Sequence, residues 1–127
     1  VITRTLAVLF ALMVLLVPPA AAAPSATTVA SATTVDFRVV LTARRTSTGS
    51  SPTAAVTATV YRLDRASWKR TATNRLPGTF FWFVVSGRRA VCELSISTGG
   101  IAKPHATIRL LLSPSVGCAK PYVLPLA

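Results

Sequence analysis

Apolar and polar residues alternate with period two along much of the chain. From Val35, the residues Phe37, Val39, Leu41 and Ala43 alternate with Asp36, Arg38, Val40, Thr42 and Arg44, which predicts a strand with one face in a core. After the Gly, Ser and Pro loop 45–53, a second strand places Ala54, Val56, Ala58 and Val60 on one face and Thr57, Thr59, Tyr61 and Leu63 on the other. "DRAS", 64–67, turns the chain into "WKRTAT", 68–73, whose aromatic and β-branched residues favour a third strand. "NRLPG", 74–78, is the next break.

The run "FFWFVV", 80–85, is apolar at every position. As a strand it would send Phe80, Trp82 and Val84 to one face and Phe81, Phe83 and Val85 to the other, so both faces would need cover. The pattern predicts a central strand over Thr79–Val85 and a tight turn at 86–89, with Gly87 supplying a positive φ. A return strand would follow in which Ala90, Cys92, Leu94 and Ile96 share a face. Beyond the loop 98–105, Ile108, Leu110 and Leu112 alternate with Thr107, Arg109 and Leu111, and Pro121 and Pro125 demote the last stretch to an edge.

About seven short strands without a convincing helix predict an all-β fold, a small antiparallel β-sandwich, over residues 35–127. The segment 59–87, through Tyr61, Trp68, Gly78, Phe81 and Phe83, resembles the immunoglobulin-like modules of bacterial exported proteins. That resemblance implies a spacer or binding module and brings no catalytic residues. A bond between Cys92 and Cys118 would depart from the usual inter-sheet disulfide of such modules.

The N-terminus changes the picture of where the protein works. Arg4, the apolar run Leu6 to Val17, the Pro18-Pro19 break and the alanines that follow read as a signal peptide over residues 1–22. The apolar run is shorter than the roughly 20 residues a membrane-spanning helix takes. A secreted, extracellular bacterial protein is therefore expected, with residues 23–34, small and uncharged, as a flexible tether. In an exported chain the two cysteines, Cys92 and Cys118, are expected to pair, and the absence of a C-x-x-C spacing argues against redox chemistry.

The remaining composition bears on chemistry. His105 is the single histidine, and the only acids are Asp36, Asp64 and Glu93. Neither a metal site nor paired-carboxylate catalysis is well supplied, there is no G-x-S-x-G motif, and no glycine loop is built to hold phosphates. No enzyme activity, metal or cofactor is expected. Neutral sugars are poorly served by a chain with no Gln and one Asn, Asn74.

Charge points elsewhere. The chain carries 14 Lys and Arg and a formal net charge of +11, with cations clustered at Arg44-Arg45, Arg62 with Arg65, Lys69-Arg70, Arg75 and Arg88-Arg89. Such a surface attracts polyanions, and Arg forks suit phosphate and carboxylate oxygens. The candidate binding residues are Arg88, Arg89, Phe81, Phe83, Trp68, Lys69 and Arg70. They would serve an anionic cell-wall polymer, a membrane surface or a protein partner; dedicated nucleic-acid binding has no motif to support it. The expected role is a non-enzymatic binding or accessory module at the bacterial surface. The alternative is a protease inhibitor presenting the 74–78 loop, or an antimicrobial factor.

Overall fold

A computed structural model describes residues 26–127. The expected signal peptide, 1–22, lies outside the described residues. The fold is all-β, two antiparallel sheets packed on one core, as the alternation predicts. The first sheet orders β1 (Ala26–Thr33), β2 (Phe37–Arg45), β3 (Thr53–Asp64) and β4 (Ser67–Arg75), with the short β5 (Phe80–Phe81) pairing the start of β3. A single helical turn, α1 (Trp82–Val85), carries the chain to the second sheet. There β7 (His105–Ser113) is central. It is flanked by β6 (Val91–Ser97) on one edge and by β8 (Gly117–Cys118) and β9 (Tyr122–Pro125) on the other.

The faces follow from side-chain alternation. Phe37, Val39, Leu41 and Ala43 of β2 and Ala54, Val56, Ala58 and Val60 of β3 turn inward and are buried. They meet Ala106, Ile108 and Leu110 of β7 and Leu124 of β9 from the facing sheet. Register is held by this pattern, because a slip of one residue would bring Arg38 and Thr42 into the core. The β2–β3 ladder runs without interruption from Phe37↔Arg62 to Arg45↔Ala54. Val35, expected to begin the inward face, instead lies in the β1–β2 connection and is exposed.

Residues 26–33 correct the expectation of a flexible tether. They form β1, paired with β2 from Ala26↔Arg44 to Thr33↔Arg38. A bulge between Thr28 and Ala30 turns Val29 onto the core. Threonine and valine suit a pleated surface, and a strand that contributes a single apolar contact shows no hydrophobic alternation. β1 also lies alongside β6, so the edge strands of the two sheets cover each other on that side of the sandwich.

The run 80–85 is the second correction, since it is not a central strand. Only Phe80 and Phe81 pair, with Ala54 and Thr53. Pro52, immediately before β3, has no N–H to extend the ladder, so the Trp82 amide takes the Pro52 carbonyl at 2.9 Å and pairing stops there. The chain then has to cross between sheets, and one helical turn does this. The Ser86 amide donates to the Trp82 carbonyl at 2.9 Å and the Gly87 amide to that of Val84 at 3.1 Å. Consequently Phe80 (3% exposed) and Val85 (1%) are core, Trp82 is half-buried, and Phe81 (42%) and Phe83 (66%) face water.

The 86–89 turn is therefore not a hairpin between paired strands, since β6 pairs with β7. Gly87 does not adopt a positive φ either. A side chain there would bring its Cβ within 3.2 Å of the Phe83 carbonyl oxygen, so what glycine allows is the close closure of the helical turn. In β6 a bulge between Val91 and Glu93 breaks the expected common face. Leu94 and Ile96 pack on the core, whereas Cys92 points outward. From there it is bonded to Cys118, as expected, with the two Cα atoms 6.3 Å apart. The bond ties together β6 and β8, the strands on either side of β7, within one sheet.

Candidate functional site

The crossover that defeats the strand reading builds the most distinctive surface of the molecule. Because α1 turns at the end of the sandwich, Phe83 projects outward and the chain returns past it through Gly87, Arg88 and Arg89. A groove of about 240 Å³ lies between this segment and Leu111 and Pro114 at the end of β7. Arg45, at the end of β2, places its guanidinium 5.7 Å from the centre of the Phe83 ring, a cation–π contact. The result is an apolar step bordered by three arginines.

No carboxylate balances them. Among the described residues the only ion pair is Lys69–Asp64, at 2.7 Å. Asp64 ends β3, Asp36 precedes β2, and Glu93 pairs across strands with Arg109, its carboxylate accepting a hydrogen bond from Ser95. The α1 end is thus cationic without local compensation, the condition under which an anion is attracted most strongly and salt screens the attraction most visibly.

Of the residues singled out from sequence, Phe83, Arg88 and Arg89 come together in this groove. Phe81 stands immediately before it and is exposed. Trp68, Lys69 and Arg70 lie elsewhere: Phe81 pairs with Thr53 at one end of β3 and Trp68 with Leu63 near the other, roughly 30 Å away at the usual rise per residue. They form a second cluster at the β3–β4 hairpin, Trp68 and Arg70 on the outer face of the first sheet and Lys69 on the inner one with Arg62. There Arg38 stacks 4.5 Å from the centre of the Trp68 ring, Arg70 pairs opposite Tyr61, and Lys69 is engaged by Asp64. The Trp68 ring and the Lys69 charge are thus already engaged within the fold, while Arg70 meets Tyr61 only as a backbone strand partner.

Sequence reading left Arg45, Leu111 and Pro114 out of the site. Arg45 had a visible signal, membership of a cation cluster. Its approach to Phe83 depends on α1 folding back over the β2 end, which no local pattern announces. The stretch 74–78 does not stand out as a free loop, for Asn74 and Arg75 belong to β4 and Leu76 is buried, its amide donating to Val56. His105 opens β7 and its Nδ1 lies 2.9 Å from the Lys103 carbonyl. Among the described residues no three of His, Cys, Asp and Glu gather into a potential metal site, and no helix is long and apolar enough to cross a membrane.

Compared with known proteins, the chain matches no protein family, no curated protein and no solved structure.

Proposed function

We propose that this chain is a small exported bacterial protein acting outside the cell as a non-enzymatic binding module, and that its α1 end takes hold of an anionic surface. The observation that carries the proposal is Phe83, two-thirds exposed beside Arg45, Arg88 and Arg89 with no acid among them. A phenylalanine left in water adds little to folding, but it supplies apolar area that is removed from water when a partner docks. The arginines supply attraction at longer range and forks for phosphate or carboxylate oxygens. The Cys92–Cys118 bond favours an oxidising compartment, in keeping with the signal-like N-terminus. The immunoglobulin-like resemblance enters only as two packed antiparallel sheets, since the first sheet here follows chain order while that fold interleaves its strands.

The test is co-sedimentation of the oxidised protein with purified cell walls, walls stripped of anionic polymer, and anionic vesicles, each at low and at physiological salt. Retention by a polymer-bearing wall or by vesicles that survives physiological salt, and that falls in an Arg88→Ala/Arg89→Ala variant, is expected. Retention that disappears at physiological salt, or that the variant leaves untouched, would overturn the assignment of this face.

A further inference from the structure

A second site arises from a coincidence of two broken sheet edges. The outer edge of β3 is shared, with β5 pairing Thr53–Ala54 and β4 pairing Thr57–Asp64. The outer edge of β7 is shared in the same manner, with β9 pairing His105–Ile108 and β8 pairing from Leu111. Leu76, whose amide donates to the Val56 carbonyl, and Ala119, whose amide donates to that of Leu110, bridge these breaks, and both line a cleft of about 150 Å³. Its first wall is Leu76 and Phe80, its second Ile108 and Leu110, all buried side chains of the core. The space opens outward past Pro77 on one lip and Pro121 on the other. Proline holds φ fixed, so neither lip closes easily over the gap.

We propose that this cleft binds a small aromatic carboxylate. An apolar space of roughly 150 Å³ takes one benzene-sized ring. The polar equipment sits at the mouth, where Tyr122 brings a phenol and Lys120 an ammonium group. Lys120 has no ion-pair partner among the described residues, and the chain's strong positive charge favours an anionic head group over a neutral or cationic one. An aromatic ring thus fits the walls and a carboxylate fits the mouth. The site is separate from the α1 groove, sharing no lining residue with it, and does not rest on the function proposed above.

The experiment is a methyl NMR titration of the oxidised protein with benzoate and, separately, with benzyl alcohol. Saturable shifts on Leu76, Ile108 and Leu110 are expected for both, with benzoate the tighter. Lys120→Gln, a change at an exposed position, is expected to weaken benzoate by about fivefold and leave benzyl alcohol unchanged. Ala119→Leu, which narrows the cleft from its rim, is expected to abolish both while thermal melting shows a folded protein. Absence of saturable shifts on those methyls at tens of millimolar benzoate would overturn the site. An equal affinity for the two ligands, unchanged in Lys120→Gln, would overturn the carboxylate assignment.

Discussion

Phe80 and Phe83 are three residues apart in one apolar run, and their alanine variants are expected to fail in opposite ways. Phe80 is 3% exposed and packs between the sheets, so Phe80→Ala removes a fully buried ring and leaves a cavity. Such a change costs about 3–5 kcal/mol. With a denaturation entropy typical of a domain near 100 residues, about 5 °C is lost per kcal/mol, so the midpoint falls by roughly 15–25 °C. Phe83 is 66% exposed, and its truncation is expected to move stability by no more than about 0.5 kcal/mol. Its effect belongs to binding: covering the exposed part of the ring is worth about 1.5 kcal/mol, roughly tenfold in affinity for an anionic surface. Circular dichroism melts and urea titrations of both variants, followed by vesicle and cell-wall binding at physiological salt, read the two quantities separately. A Phe83→Ala protein as destabilised as Phe80→Ala would refute the helical crossover and restore the buried central strand. A stable Phe83→Ala protein that binds like the parent would refute the role given to its exposed face.

Other expectations follow from the same geometry. Replacing Cys92 and Cys118 together by serine frees a crosslink spanning 26 residues in sequence, and is expected to lower unfolding free energy by about 3.5 kcal/mol in urea titrations. Gly87→Ala presses a Cβ against the Phe83 and Val84 carbonyl oxygens at 3.2 and 3.3 Å. It is expected to cost about 1 kcal/mol and to weaken surface binding by displacing Phe83, as melts and co-sedimentation would show. Asp64→Asn breaks the Lys69 pair, but both side chains are more than half exposed, so a stability change below about 0.5 kcal/mol is expected in the same melts.

Alternation made β2, β3 and β7 readable because each presents one clean apolar face to a single core, and the inward sets Phe37 to Ala43 and Ala54 to Val60 fall where the pattern puts them, whereas β4, with no buried side chain, was legible only through its aromatic and β-branched residues. β1 escaped because its pairing is a matter of backbone hydrogen bonds and one valine, and small polar residues leave no hydrophobic trace of that. The run 80–85 misled for the opposite reason. Its composition is as suitable for a strand as any in the chain, and what ends the strand after Phe81 is Pro52, nearly 30 positions away in sequence and adjacent only in the folded sheet. The candidate site inherits this division. Phe83, Arg88 and Arg89 could be named because they are close in sequence, while Arg45 and Pro114 join them only through the crossover. The Trp68 cluster looked equivalent on the page of sequence, and only the Arg38 stack and the Lys69–Asp64 pair show it to be already occupied by its own neighbours.

The most direct test of the central claim is a backbone amide NMR titration of the oxidised protein with a soluble anionic wall polymer at physiological salt. The account predicts perturbations centred on Phe83, Gly87, Arg88, Arg89, Leu111 and the end of β2 at Arg45, with the Trp68 to Arg70 segment unaffected. Perturbations centred on Trp68, Lys69 and Arg70, or spread evenly over every exposed cation, would contradict it.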